Sequence, residues 1–274
     1  MVSITAGNTK TKNKGQDMDK YIILFDVDGT LTHRGEQNVA KTILESIKMA
    51  KQKGHIVAIS TGRSLKNTLA LQGNEVFDYI VCLMGTEVYD VKQQKVVYQY
   101  PEHMKNEYIK PLIEYLISTG KEWTYKDCYE DKTTYNVGKY GGRFNAVQVG
   151  RAEVENDLKN NNIMQLLAIE GVITSDMIDR YSELDFIKMP PDYYDILKKG
   201  QNKGVAIKYF KKCYPGYKTV AVGDSFNDIG MFETCDISIA MGNSVDAIKK
   251  MTTYVTKSLD DDGVQYALNH ILKI

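Results

Sequence analysis

The chain of 274 residues carries 35 lysines and arginines against 35 aspartates and glutamates, so its formal net charge is zero. Hydrophobic residues make up 43% of the sequence and charged residues 26%, a composition that excludes disordered and fibrous proteins. The balanced charge argues against a nucleic acid or an acidic membrane as a partner, because either would favour a basic excess. At roughly 150 residues per domain, the length predicts two domains, or one large α/β domain with an insertion.

The N-terminal residues, the apolar runs and the cysteines indicate the cellular compartment. The first 20 residues are polar and rich in lysine, without the apolar stretch of a secretory signal, so we expect a flexible tail over 1–20. No apolar run approaches the ~18 residues that a membrane span needs. Four scattered cysteines without a close pair favour reduced thiols and a cytoplasmic protein. We expect a monomer or a small homo-oligomer.

Unbroken apolar runs predict strands that are covered on both faces, as in a parallel sheet. The runs are 21–25, 56–59, 79–84, 219–222 and 237–240. Helical patterns accompany them over 39–47, 64–72, 204–212, 244–251 and 264–272. The first of these patterns is followed by Gly54, which can adopt the positive φ that often ends a helix. Strand and helix in this rhythm predict a doubly wound, Rossmann-like α/β core.

The middle of the chain has a different pattern. From about residue 86 to residue 193 the predicted strands are shorter, more alternating and richer in tyrosine. They include a hairpin (87–90 and 95–98), a helix over 103–118, and strands over 146–149 and 165–169. We therefore predict an inserted α+β cap domain over 86–190, with the α/β core formed by 21–85 and 191–274.

Acidic and hydroxyl residues follow several of the predicted parallel strands. They are Asp26, Asp28 and Thr30 after the first strand, Thr61 after the second, and Asp224 and Asp228 after a later one. Ligands of open α/β sheets bind at the carboxyl ends of the strands, so these side chains should converge on one crevice. Two carboxylates ~4 Å apart repel by about 4 kcal/mol at an effective dielectric near 20, a cost that Mg²⁺ would remove. Together with Lys203, these groups are the parts that phosphoryl transfer requires.

Four segments resemble, in the right order, the motifs of the haloacid dehalogenase-like (HAD-like) phosphatases. They are Asp26-Val27-Asp28-Gly29-Thr30, Thr61-Gly62-Arg63, Lys203-Gly204 and Gly223-Asp224-Ser225-Phe226-Asn227-Asp228. The most similar branch is that of the Cof-type hydrolases together with the sucrose-phosphate phosphatases, which the segments 240–243 and 261–264 also resemble. The resemblance covers both core segments, whereas the cap agrees in position and length more than in residues.

The resemblance implies a catalytic role for four residues. Asp26 would attack phosphorus and become an aspartyl phosphate, while Asp28 would protonate the leaving alcohol and then deprotonate the hydrolytic water. Thr61 and Lys203 would hold the oxygens of the transferring phosphoryl group. A general acid two residues from the nucleophile can reach the leaving oxygen if the backbone turns, and Gly29 permits that turn.

The resemblance also implies a metal site. Mg²⁺ would be bound by the Asp26 carboxylate, the Asp28 backbone carbonyl and Asp224. Asp228 would support the ion through water or would orient Lys203. In this reading the cofactor is Mg²⁺ and the partner is a small phosphorylated metabolite.

Further residues are candidates for substrate contact. They are Gly62, Arg63, Thr86, Glu87, Asn227 and Arg143. After the third strand many Cof-type proteins have Asn-Gly, but this chain has Gly85-Thr86-Glu87, which is similar to the sucrose-phosphate phosphatases and favours a sugar phosphate. Arg143 belongs to the glycine-rich cap segment 135–145, which could read sugar hydroxyls or a second phosphate, or be a solvated loop.

Three functions are compatible with these residues. The leading hypothesis is a Mg²⁺-dependent phosphatase that acts on a small phosphorylated metabolite, a sugar phosphate above all. A phosphosugar mutase of the phosphomannomutase type shares the first motif and a similar cap, but the last motif here has the hydrolase form. A receiver-like signalling domain also gathers carboxylates, Mg²⁺ and a lysine, yet it needs no cap and gives Asp28 no task.

Overall fold

The computed structural model describes residues 19–101, 104–137, 146–189 and 192–274, which are organised by two β-sheets. In chain order the strands are β1 (Tyr21–Phe25), β2 (Ile56–Ser60), β3 (Tyr79–Cys82), β4 (Glu87–Asp90), β5 (Lys95–Gln99), β6 (Trp123–Lys126), β7 (Asp131–Thr133), β8 (Val147–Gln148), β9 (Gln165–Ile169), β10 (Leu184–Met189), β11 (Tyr193–Lys198), β12 (Lys218–Gly223), β13 (Ile237–Ala240) and β14 (Tyr254–Val255). 

Helices connect the strands in the described part of the chain. The α-helices are Lys41–Gln52, Leu65–Leu69, Asn106–Ser118, Arg151–Lys159, Ser175–Arg180, Gly204–Cys213, Ile229–Thr234, Asp246–Met251 and Gly263–Tyr266, the last continuing into a π-helical turn at Ala267–Ile271. Short 3-10 turns lie at Asn74–Val76, Leu83–Gly85, Phe226–Asp228 and Leu259–Asp261. None of the helices in this part of the chain is long and apolar enough to cross a membrane.

The larger sheet has eight strands in the order β14-β13-β12-β1-β2-β3-β4-β5. Its first six strands are parallel, and β4 and β5 add an antiparallel hairpin at one edge. Phe25 at the end of β1 pairs with Val222 of β12 and with Ile59 of β2. The residues that follow these three strands therefore leave the sheet at the same edge.

Alternating side chains of β1 belong to two hydrophobic clusters, one on each face of the sheet. Phe25 packs in a cluster with the helix Lys41–Gln52, whereas Leu24 packs in a second cluster with the helix Gly204–Cys213. Both side chains are fully buried, which is why β1 shows no polar alternation. This arrangement is the predicted doubly wound α/β core.

The smaller sheet has six strands in the order β10-β11-β9-β6-β7-β8 and is antiparallel except between β7 and β8. One face packs on the helices Asn106–Ser118 and Arg151–Lys159 and buries Trp123 and Tyr125. The alternate residues of the same strands, such as Lys126, point to the opposite face. That face covers the carboxyl edge of the larger sheet.

Each of the two expected domain boundaries separates two neighbouring strands of the same sheet. The hairpin β4–β5, which we expected to open the cap after residue 86, extends the core sheet instead. Strand β11 at Tyr193–Lys198, which we assigned to the core, pairs with β9 and β10 of the cap sheet. An antiparallel hairpin has the same alternating pattern in either sheet, so only strand pairing decides where it belongs.

Several element ends also differ from the sequence-based expectation. The third strand ends at Cys82, because Leu83 and Met84 adopt positive φ in a tight turn. The helix expected over 64–72 is shorter, at Leu65–Leu69. Of the expected N-terminal tail, residues 1–18 lie outside the described residues, while the Lys218 ammonium bonds to Asp19 at 2.6 Å.

Candidate active site

The turn after β1 brings the first motif against the last one. Gly29 has a φ of +96°, and a Cβ on it would lie 2.4 Å from an Asp224 carboxylate oxygen. A larger residue would therefore be strained and would also clash. Asp26 is buried at the end of β1, and Asp28 is partly exposed two residues later.

A buried lysine joins the first and last motifs. Lys203 is fully buried, and its ammonium donates to Oδ1 of Asp26 and, at 2.6 Å, to Oδ1 of Asp228. The other oxygen of Asp228 accepts from the backbone N–H groups of Asp224 and Ser225 at 2.9 and 3.0 Å. Asp228 therefore holds both the lysine and the loop that carries Asp224.

The carboxylates in this crevice fit a divalent cation. Asp26, Asp224 and Asp228 are buried, and each offers an oxygen within 4.8 Å of the others. Oδ1 of Asp224 is buried without a hydrogen-bond partner, while its Oδ2 lies 3.2 Å from Arg34. This uncompensated acceptor is the position where an oxygen-seeking ion such as Mg²⁺ would bind.

The acidity of these carboxyls supports the same fit. Burial, followed by the negative charge of Asp228, raises the pKa of Asp224 to about 6. The same two causes raise the pKa of Asp26 well above its usual value, although Lys203 opposes them. One lysine therefore does not balance the charge of the cluster, and a bound cation would lower both pKa values.

The second motif contributes a hydroxyl and a guanidinium. Thr61 is buried after β2, and its Oγ1 accepts from the Arg63 backbone N–H at 3.1 Å. The Arg63 side chain makes two hydrogen bonds to the Asp28 carboxylate, at 2.7 and 3.0 Å. Burial alone would raise the pKa of Asp28, but Arg63 outweighs it, so the pKa is lowered. Asp28 is thus held as a carboxylate directed toward Arg63.

These residues form one wall of a cleft of about 260 Å³ between the two sheets. From the core it is lined by Asp26, Asp28, Arg34, Thr61, Gly62, Arg63, Ser225 and Asn227. From the cap it is lined by Lys126, Leu167, Met189, Tyr193 and Asp195. A neighbouring cavity of about 320 Å³ shares Arg34, Met189 and Ser225 with the cleft, and it is lined further by the apolar side chains of Phe226, Val245 and Leu259.

The cap is anchored over the second motif by the turn between β6 and β7. Asp131 accepts hydrogen bonds from Ser64 Oγ at 2.6 Å and from Asn67 Nδ2 at 2.5 Å. Lys126, which precedes the turn, donates to the Gly62 carbonyl at 2.6 Å. Both strand ends of this turn are therefore fixed to the core, at the loop that follows β2 and at the helix Leu65–Leu69.

A model of the haloacid dehalogenase-like hydrolases matches residues 23–268, which is most of the chain. The protein belongs to this family. The 5-amino-6-(5-phospho-D-ribitylamino)uracil phosphatase YcsE of Bacillus subtilis is 26% identical over 263 residues, covering 93% of this chain and 97% of that protein. The named relatives of this chain are phosphatases, and this HAD-like protein is a phosphatase too.

Solved structures show the same fold. The sugar phosphatase BT4131, of HAD subclass IIB, has a TM-score of 0.76 at 23% identity, covering 93% of this chain and 100% of that one. The HAD phosphatase BT1666 from Bacteroides thetaiotaomicron has a TM-score of 0.79 at 20% identity, covering 97% and 100%. The core and its cap are therefore the architecture of HAD-like phosphatases.

Of the HAD-like motif residues, Asp26, Asp28, Thr61, Gly62, Arg63 and Asn227 line the cleft. Lys203 and Asp228 lie buried behind Asp26, and Asp224 lines the neighbouring cavity. Two other candidates do not reach the cleft. Thr86 is buried, where it bonds to the Leu83 carbonyl at 2.7 Å and to the Gln201 amide at 2.5 Å. Glu87 is also buried, with its Oε1 bonded to Gln99. Neither lines the cleft: Thr86 packs against Gln201, just before Lys203, and Glu87 packs against Gln99 of the neighbouring strand. Arg143 lies outside the described residues.

The cap side of the cleft carries no sequence motif and was not predicted. Lys126 and Asp195 occur singly in cap strands, without a motif around them, and so does Tyr193. The spacing of Tyr193 and Asp195 places both on one face of β11, but it cannot say which face meets the core. Arg34 was missed as well, because it follows the first motif without belonging to it.

Proposed function

We propose that this phosphatase hydrolyses phosphate monoesters of small hydroxylated metabolites, sugar phosphates above all, with Mg²⁺ and through an aspartyl phosphate on Asp26. The main support is the buried cluster in which Lys203 joins Asp26 and Asp228 beside Asp224. It lies at the carboxyl edge of a parallel sheet, where α/β proteins bind their ligands. This cluster has the nucleophile, the positive charge and the metal ligands that phosphoryl transfer needs.

In the first step an Asp26 oxygen attacks phosphorus, and the bond between phosphorus and the leaving alcohol breaks. Lys203 faces Asp26, so its charge is placed to stabilise the phosphoryl oxygens as they gain negative charge. Thr61 and Asn227 line the same cleft and can donate hydrogen bonds to these oxygens. The product of the step is an aspartyl phosphate and a free alcohol.

Asp26 and Asp224 would hold Mg²⁺ together with the Asp28 backbone carbonyl, and Asp228 would keep the Asp224 loop in place. When bound, the ion supplies positive charge that neutralises the carboxylates and the substrate phosphate. The buried, unpartnered oxygen of Asp224 supports this assignment.

Asp28 is proposed to protonate the leaving oxygen and later to take a proton from the water that attacks the aspartyl phosphate, which releases inorganic phosphate. Its bidentate pair with Arg63 lowers its pKa and keeps it ionised, so this pair must open before Asp28 can donate a proton. The phosphate of an incoming substrate can compete with Asp28 for Arg63, because Asp28 and Arg63 both line the cleft. Loss of the Arg63 pair on substrate binding would raise the pKa of Asp28, so that Asp28 takes up a proton from solvent before it protonates the leaving oxygen.

The substrate class rests on the polar cap wall, with support from the relatives. One structural neighbour is named a sugar phosphatase, and one sequence relative is named for a phosphorylated ribityl compound with a uracil ring. Both names describe a phosphate ester on a hydroxylated carbon chain. The adjoining cavity with Phe226 and Val245 favours a second candidate, a polyol phosphate that carries a planar ring, because the ring could occupy this apolar space.

A metabolite panel tests the proposal. Phosphate release is measured for sugar phosphates, ribitylamino-pyrimidine phosphates and p-nitrophenyl phosphate, with Mg²⁺ and with EDTA. We expect release only with Mg²⁺, fastest from hydroxylated substrates. Formation of a phosphosugar isomer without phosphate release would favour the mutase reading, and a stable phosphoaspartate without turnover would favour the receiver reading.

A further inference from the structure

The cap wall of the cleft carries a carboxylate and an ammonium on the same face of the sheet. Asp195 of β11 pairs with Leu167 of β9, and Lys126 of β6 pairs with Gln165 of the same strand. Paired residues share a face, as do residues two apart on a strand, so all four side chains point the same way. Asp195, Leu167 and Lys126 line the cleft opposite the catalytic carboxylates.

Asp195 is held in one orientation. It is only 5% exposed, and its Oδ1 accepts a hydrogen bond from Gln165 Nε2 at 2.6 Å. Among the residues that the structure describes, no donor bonds to its Oδ2. Since Asp195 lines the cleft, a ligand in the cleft can supply the missing donor.

Lys126 is also fixed and also incompletely used. Its ammonium donates to the Gly62 carbonyl at 2.6 Å and lies 3.6 Å from Asp131, too far for a hydrogen bond. An ammonium has three N–H donors, so Lys126 can bond to a ligand as well. Leu167 lies between the two strands that carry Asp195 and Lys126, and it offers an apolar contact for C–H groups.

We propose that Asp195 and Lys126 bind neighbouring hydroxyl groups of the leaving alcohol, and that they are the residues that select hydroxylated substrates. Each hydroxyl can donate to the carboxylate and accept from the ammonium, while Leu167 contacts the carbon chain between them. The assignment rests on the proposed function, because it places the transferring phosphate on the opposite wall at Asp26.

The same pair also disfavours other substrates. A second phosphate near Asp195 would meet a like charge. An aryl or alkyl group would leave Oδ2 of Asp195 and the remaining N–H donors of Lys126 desolvated without a partner. The cleft lining on this wall has one acidic and one basic side chain, so neither an anion nor a cation finds only opposite charge there. A site built in this way rejects an analogue that lacks the hydroxyl more strongly than a purely apolar pocket could.

The test combines a change in the protein with a change in the substrate. Values of kcat/KM are measured for glucose 6-phosphate, its deoxy analogues, ribitol 5-phosphate and p-nitrophenyl phosphate, using the wild type, Asp195→Asn and Lys126→Met. Asp179→Asn, on the exposed face of a cap helix, is the matched control. We expect the ratio of kcat/KM for the best hydroxylated substrate to that for p-nitrophenyl phosphate to fall by about 10- to 100-fold in Asp195→Asn.

The wild type tests the proposal even if a variant fails to fold. Removal of the contacted hydroxyl from the substrate should lower its kcat/KM by about 10-fold or more, and Asp195→Asn should lose most of this discrimination. Equal values for the hydroxylated and deoxy substrates, or an unchanged ratio in folded Asp195→Asn, would overturn the assignment. Failure of the proposed function looks different, because then the wild type releases phosphate from none of these substrates.

Discussion

The two walls of the cleft are built in different ways. On the core wall, Asp26, Asp224 and Lys203 come from loops at strand ends, and backbone turns that need glycine bring them together. On the cap wall, Lys126 and Asp195 are single positions on regular antiparallel strands. A strand position accepts many side chains, whereas the turns of the core wall accept few. Substrate selection can therefore change while the phosphoryl-transfer chemistry stays the same.

The electrostatics of the two walls differ as well. The core wall holds three buried carboxylates around one lysine, and the excess negative charge raises the pKa of Asp26 and of Asp224. The cap wall carries one carboxyl group, Asp195, and one ammonium, Lys126, on the same face of the sheet, and burial raises the pKa of Asp195. The first arrangement is suited to a cation and the second to neutral hydroxyls.

The largest expected effect is on the core wall. Asp26→Asn should lower kcat/KM by at least about 10³-fold for sugar phosphates and p-nitrophenyl phosphate alike, because the proposed nucleophile is lost. Steady-state kinetics with a thermal-melt check of folding measures this, with Asp179→Asn as control. A loss confined to the hydroxylated substrates would show that the core wall also selects, and the contrast between the walls would fail.

Metal removal is the second test of the core wall. EDTA should abolish turnover and Mg²⁺ should restore it, and Mg²⁺ at about 100 times its Kd should stabilise the fold by about 2.7 kcal/mol. Because the pKa of Asp224 is about 6, protons compete with the ion at lower pH. We expect a smaller Mg²⁺-induced rise in Tm at pH near 5 than at pH near 7.5, measured by thermal melts. An equal rise at both pH values would contradict the assignment of Asp224 as a ligand.

The contact that joins the two walls gives a smaller effect. Asp131→Ala leaves the Ser64 hydroxyl and the Asn67 amide without their acceptor, which costs about 1–3 kcal/mol. We expect KM to rise about 3- to 10-fold for every substrate while kcat changes less, because the cap turn beside Lys126 has lost its two hydrogen bonds to the core. Glu130→Gln, which breaks only the neighbouring pair with Lys66, is the matched control. A fall in kcat with KM unchanged would place this contact in the chemical step.

The smallest effect concerns Glu87, away from both walls. Burial, with a further contribution from Asp127, raises its pKa to about 7, so its protonated form is favoured in the folded state. Its contribution to stability is complete below its ordinary pKa and is lost as the pH rises through about 7. The side chain of Glu87→Gln cannot ionise. The Tm of this variant minus the Tm of the wild type should therefore be larger at pH near 8 than at pH near 5, by the equivalent of about 1–2 kcal/mol in the free energy of unfolding.

Thermal melts across this pH range measure the difference between the variant and the wild type. Glu75→Gln, at an exposed position, is the control and should follow the wild type at every pH. A Tm difference that does not depend on pH would show that Glu87 is ionised in the folded protein throughout.

Much of the core could be predicted from the sequence. Apolar runs without alternation predicted the parallel sheet, and polar residues directly after them predicted where Asp26, Thr61 and Asp224 would meet. The prediction succeeds because each motif is local: the strand end and its turn place the side chain, and parallel neighbours share one edge. The family match confirms the predicted HAD-like family, and the similarity to solved structures confirms the predicted α/β fold.

The remaining features depend on contacts between distant parts of the chain. The hairpin β4–β5 joined the core sheet and β11 joined the cap sheet, although their alternating patterns are compatible with either. Thr86 looked like a substrate contact but is buried against Gln201, which lies far along the chain. The sequence by itself determined which side chains meet on the core wall, because strand-end turns are short-range structures. Only the tertiary structure decided which face of the cap meets that wall. The two-residue repeat of a β-strand fixes which residues share a face with Lys126 or with Asp195, but it does not fix what lies opposite that face.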